Sequence, residues 1–146
     1  MEYLDPVCLA NLFKRSKQQK RYSGLILMED RSHVEMLCSE LANHMLDFDI
    51  SSVDYNDQHG IATLKVDYSW VRIMHVGALQ RGMAFHEALV SDRAGMHEEH
   101  MGKLQAMMKR YKNNPAIFVI SKEPEDNYKS EELDTFLSGF KIIKDN

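Results

Sequence analysis

Apolar and polar positions change period several times along the chain, and each change marks an element. Between Leu4 and Lys20 the apolar residues Leu9, Leu12 and Phe13 fall three and one apart, on one face of a helix. Asp5 can cap that helix, and Pro6 sits at its favoured first position. The segment "YSGLILMED" (22–30) is a short apolar run after a Gly, which predicts a buried strand. In "SHVEMLCSELANHMLDFD" (32–49) the residues Val34, Leu37, Cys38, Leu41, Met45 and Leu46 return to the helical period. Ser32 with Glu35 three residues on reads as its capping box.

Period two then takes over. "ISSVDY" (50–55), "IATLKVDY" (61–68) and "WVRIMHV" (70–76) read as strands, the first two joined by the turn "NDQHG". In the last, Val71 and Ile73 point to one face, and Met74 and His75 compete for the next inner position. "EALVSD" (87–92) predicts another strand. "EEHMGKLQAMMKRYK" (98–112) predicts a helix with acids first and bases last, as the helix dipole favours. "AIFVIS" (116–121) is continuously apolar and bounded by breakers, the signature of a central parallel strand. "LDTFLSGFKIIK" closes the chain.

Strands alternating with helices predict an α/β fold: a three-layer sandwich around a mostly parallel sheet of about five strands. At 146 residues the chain fits one such domain. Residues 1–21 read as an N-terminal helix with a basic end, and 22–146 as a single α/β domain.

Composition adds one strong feature. Apolar residues make up 44% and charged residues 27%, and no apolar run reaches the length of a membrane span, so no membrane partner is expected. The N-terminus carries acids where a signal peptide has bases. Cys8 and Cys38 have neither metal-site nor disulfide-framework spacing, so a reducing, cytoplasmic setting is expected. Net charge is −4, yet "KRSKQQKR" (14–21) holds five of the 18 basic residues and no acid. The rest of the chain has 13 bases against 22 acids. The reading is a basic arm on an acidic body.

Other residue clusters carry less. His97 and His100 share a helix face but lack further ligands in sequence, and His86-Glu87 is not followed by the second histidine of a zinc-protease motif. His75 in its apolar strand reads as a core histidine. Cys8 and Cys38 lie on apolar helix faces and read as packing residues. Asp54, Asp57 and Asp67 read as solvated acids around a turn. No catalytic residue, metal site or cofactor is expected from these patterns.

The segments "LQRGMAFHEALVSD" and "LQAMMKRYKNNPAIFVISKEP", following a strand, a helix and paired strands, resemble the core of the helicase-like and viral terminase-like P-loop NTPases. In that family an Arg-Gly stretch precedes an apolar strand ending in Asp-Glu, and a later strand ends in a Ser-Thr-x-Pro-like coupling motif. The matching positions are Arg81-Gly82, Ala88 to Asp92, and Ser121 with Pro124. The departures are large. A phosphate-cradling loop needs Gly-x-x-x-x-Gly-Lys-Ser/Thr, and no such segment occurs. Arg93 stands where the catalytic Glu belongs, and a guanidinium cannot deprotonate water. The resemblance therefore implies a core stripped of its ATPase machinery, with Asp92 and Ser121 as remnants.

The resulting expectation is a non-enzymatic binding or regulatory module that docks on a protein or nucleoprotein partner, as in an accessory factor of a virus or mobile element. Its charged contact would be Lys14, Arg15, Lys17, Lys20 and Arg21. Trp70, Arg72, Arg81, Met83 and Phe85 form a second expected contact, of the kind interfaces favour. One alternative is a nucleic-acid-binding accessory protein of replication, packaging or repair, with DNA or RNA on the basic segment. Another is a metal-dependent hydrolase built on Asp92. Oligomeric state has no signature in the sequence.

Overall fold

The computed structural model describes residues 2–123. Its elements are α1 (Pro6–Gln18), β1 (Ser23–Met28), α2 (Arg31–Asn43), β2 (Ser52–Asn56), β3 (Ile61–Val66), β4 (Ser69–His75), β5 (Glu87–Val90), α3 (Glu98–Met107) and β6 (Ile117–Ile120). Single 3-10 turns lie at 46–48, 76–78 and 94–96.

The expected α/β sandwich is present, with six strands among the described residues where a sheet of about five was expected. Six strands form one sheet in the order β2-β3-β4-β1-β5-β6. β4, β1, β5 and β6 run parallel, and the β2–β3 hairpin joins β4 antiparallel. Alternate residues of β1 serve opposite faces. Ile26 and Met28 pack with Leu9, Leu12 and Phe13 of α1 and Leu37 and Leu41 of α2. Leu25 and Leu27 pack on the other side with Leu104 and Met107 of α3. Two apolar cores on either face of one sheet make the three layers.

α1 is thus seated on the sheet through its apolar face. Asp5 caps it, accepting from the N–H groups of Val7 (2.9 Å) and Cys8 (3.2 Å). Gly24 permits the close crossing of α1 over β1: a Cβ there would stand 2.8 Å from Leu12 Cδ1. In β4 both competitors are accommodated, Met74 fully buried and His75 half-buried, because the strand is covered on both faces at that end.

Three local expectations are corrected. Asp30, not Ser32, caps α2: its carboxylate accepts from Ser32 N at 2.9 Å, and Glu35 instead accepts the Tyr55 hydroxyl at 3.0 Å. α3 stops at Met107, because Phe85 takes the backbone beyond it: Phe85 N donates to Met107 O (2.9 Å) and Lys109 N to Phe85 O (2.8 Å). β6, expected to be central, is the outermost strand on its side among the described residues, with its side chains half-buried or exposed. Pro124 and the closing segment "LDTFLSGFKIIK" lie outside the described residues.

Candidate functional site

The two ends of the parallel strands are built differently, and each collects residues singled out by the sequence. At the carboxyl ends the segment 2–5, which precedes α1, lies across β1, β5 and β6. Glu2 is 3% exposed. Its carboxylate accepts from the backbone N–H groups of Glu29 and Asp30, both at 2.7 Å, where β1 passes into α2. It also accepts from the hydroxyl of Ser91, just past β5. The His33 ring nitrogen Nδ1 stands 2.9 Å from it and donates when protonated there.

The rest of the segment is tied down separately. Tyr3 N donates to Asp92 Oδ1 at 2.7 Å, and Asp92 N returns a bond to Tyr3 O at 3.1 Å. Asp5 N donates to the Ser121 hydroxyl at 2.8 Å. Asp92 and Ser121, the residues matched to family motifs, are therefore brought together, 29 positions apart in sequence, as anchors of one strap. Burial, and next the charge of Asp5, push the Tyr3 phenol up to about 12. Nearby, His97 Nε2 lies 2.7 Å from Glu29 Oε2 with the His100 ring 5.7 Å from its own. Among the described residues no group of three or more His, Cys, Asp or Glu converges to hold a metal ion.

At the amino ends the expected basic arm is divided. Arg15 turns inward and donates to Glu87 through Nε (2.7 Å) and Nη2 (2.6 Å), a bidentate pair with a carboxylate that is 3% exposed. The Tyr22 hydroxyl donates to the same carboxylate at 2.6 Å. Arg15's own bonds to Glu87 hold its pKa above its ordinary value, and burial raises that of Tyr22. Lys17 pairs with Asp49 at 3.0 Å on the surface. Lys14, Lys20 and Arg21 are exposed.

A second basic segment joins them. The Tyr111 hydroxyl donates to Lys20 O at 2.7 Å and accepts from Lys20 N at 3.1 Å. The Tyr111 ring packs against Tyr22 and His86, with centroids 5.1 Å away in both cases. Lys109, Arg110 and Lys112, all exposed, are thereby set beside Lys20 and Arg21. Burial and then Lys109 lower the His86 pKa, which fits a neutral ring accepting from Ser23 N at 2.9 Å.

Two exposed aromatics border this surface. Arg21 N donates to Tyr68 O (3.0 Å), and Lys20 Nζ lies 5.9 Å from the centre of the Tyr68 ring. Tyr68 is 65% exposed and Trp70 44%. Trp70 and Arg72 lie on one face of β4 opposite Lys65 and Thr63 of β3. The second expected contact thus splits: Trp70, Arg72 and Arg81 are exposed, Met83 is half-buried, and Phe85 lies in the core at 1% exposure. The sequence reading missed Lys109, Arg110 and Lys112, which served there only as the end of a helix. Their one signal was the local density of charge.

No protein-family model matches the chain, and no curated protein sequence matches it. Among solved structures it is similar to the large terminase of a thermophilic bacteriophage. The superposition has a TM-score of 0.53 at 9% identity and covers 72% of this chain and 26% of that one. The same terminase in complex with ADP gives a TM-score of 0.51 at 7% identity, over 72% of this chain and 27% of that one. This chain therefore spans about a quarter of the length of those neighbours. The likeness is one of fold, a distant terminase-like α/β core.

Proposed function

We propose that the protein is a non-enzymatic binding module that docks on nucleic acid, free or within a nucleoprotein, through the surface at the amino ends of its parallel strands. The observation that carries this is the pair of Tyr111–Lys20 hydrogen bonds, which join two separate basic segments into one patch bearing Lys20, Arg21, Lys109, Arg110 and Lys112. Phosphates would meet those bases, and Tyr68 and Trp70 offer faces on which unpaired bases stack. The buried Glu87 charge does not oppose them, since Arg15 neutralises it.

Support for the absence of ATPase chemistry comes from the other end. A nucleotide phosphate does not fit residues already engaged with Glu2, and Asp92 is followed by Arg93 in place of a catalytic acid. The terminase-like fold, known here from a bacteriophage protein, supports a role as accessory factor of a virus or mobile element. The free cysteines suit a reducing, cytoplasmic setting.

Fluorescence anisotropy with labelled single- and double-stranded DNA tests the reading. Engaging all five bases gives a salt slope of about −3.5 on a single strand, hence roughly a hundredfold weaker binding at 200 than at 50 mM salt. Changing the five to Gln should abolish binding, whereas Lys14→Gln with Lys17→Gln should leave most of it. Undiminished binding by the five-residue variant would remove this surface as the contact, and no binding by the wild type at low salt would remove nucleic acid as the partner.

A further inference from the structure

The carboxyl ends of the strands hold a feature that nucleic-acid docking does not use. β1 continues through α2 toward the β2–β3–β4 side of the sheet, while β5 continues through α3 toward β6, on the opposite face. The gap between the ends of β1 and β5 is thus a point where the connections diverge, and open α/β sheets receive their ligands outside the carboxyl ends at such points. Glu2 lies across this gap. It takes its N–H donors from the end of β1 and its hydroxyl donor from the end of β5.

A carboxylate with a side-chain exposure of 1%, paired with no Lys or Arg among the described residues, is costly to bury unless the site is organised for negative charge. This site is. The Glu29 and Asp30 N–H groups lie at the positive end of the thirteen-residue α2, and Ser91 and His33 complete the shell. Ser91 is itself aligned, since its oxygen accepts from Ala94 N at 3.0 Å. The anion is delivered by a segment with anchors of its own: Tyr3 on Asp92 and Asp5 on Ser121.

We infer that residues 2–5 act as a ligand supplied in cis. Glu2 fills an oxyanion site between β1 and β5, and an external oxyanion enters only when that carboxylate is gone. The site takes a carboxylate- or phosphate-sized oxyanion, and the chain closes it to both.

The test uses the full chain as wild type, Glu2→Ala and Glu2→Gln. Each is melted in formate, in inorganic phosphate and in chloride at matched ionic strength, with the backbone amide resonances of Glu29 and Asp30 followed by NMR. Glu2→Ala should lose thermal stability and regain several degrees, saturably, in formate or phosphate beyond chloride. Its Glu29 and Asp30 amides should shift with the anion, while those of the wild type stay fixed. Response to formate alone marks a carboxylate-sized site and response to phosphate a larger one, and either supports the inference. If Glu2→Ala does not fold in chloride, formate or phosphate should restore its melting transition and both amide resonances, whereas Glu2→Gln, whose side chain still fills the site, should respond to neither anion. A Glu2→Ala chain indifferent to both anions, folded or unfolded, or a wild type that responds as that variant does, would overturn it.

Discussion

Glu87 is the residue whose loss the structure makes most legible. Glu87→Ala removes the acceptor of two charge-assisted bonds from Arg15, at 2.7 and 2.6 Å, and of one from Tyr22, at 2.6 Å. The Tyr22 hydroxyl is then left buried without its acceptor, which costs about 1–3 kcal/mol. Breaking a buried ion pair from one side costs about 3–5 kcal/mol. Here the Arg15 side chain is 35% exposed and can turn to water, so the lower end applies. The expected total is about 4 kcal/mol, or a fall in Tm of roughly 13 °C for a chain of this size. Urea unfolding gives the free energy directly, provided the m-value is unchanged. A cycle with Tyr22→Phe separates the hydroxyl from the guanidinium, and the two changes should be coupled by about 1 kcal/mol or more. A loss below about 1 kcal/mol, with additive single changes, would show that this cluster does not hold the amino ends of β1 and β5 together.

Two further outcomes follow from the geometry. Gly24→Ala sets a Cβ 2.8 Å from Leu12 Cδ1, so it should destabilise by about 1–3 kcal/mol, and Leu12→Val beside it should recover part of that in the same unfolding assay. The pH profile should fall at both ends. His86 has a folded pKa below its ordinary 6.5, so the unfolded chain binds more protons in acid, and stability drops as pH falls through that value. Tyr3 has a folded pKa raised from 10.0 to about 12, so the folded chain holds the extra proton, and stability drops as pH rises across that window. Melting curves of the wild type, His86→Gln and Tyr3→Phe measure both limbs, each variant flattening its own.

Local chemistry was enough to announce α1, β1, α2 and the β2–β3–β4 run, and with them the α/β class. Asp5 before Pro6, the return of Leu9, Leu12 and Phe13 to one face, and the alternation through Ile61 and Val71 are written within a few residues and act within a few residues. Boundaries failed where a distant group competed. Phe85 drew the chain away after Met107, while the α2 cap was decided close by, where the carboxylate of Asp30, two residues earlier, out-capped the hydroxyl at Ser32. The candidate sites depended almost wholly on such distant partners. Arg15 was counted in a basic arm until Glu87, 72 residues on, took it inward, and Lys20 gained its basic neighbours through Tyr111, 91 residues on. Asp92 and Ser121 were visible as motif positions, but Glu2, 89 residues before Ser91, carries no mark in sequence that it lies over them. A periodic pattern records which face of an element is apolar. Which elements adjoin, and so which charges are paired and which are left to meet a partner, is decided by packing two cores against a single sheet.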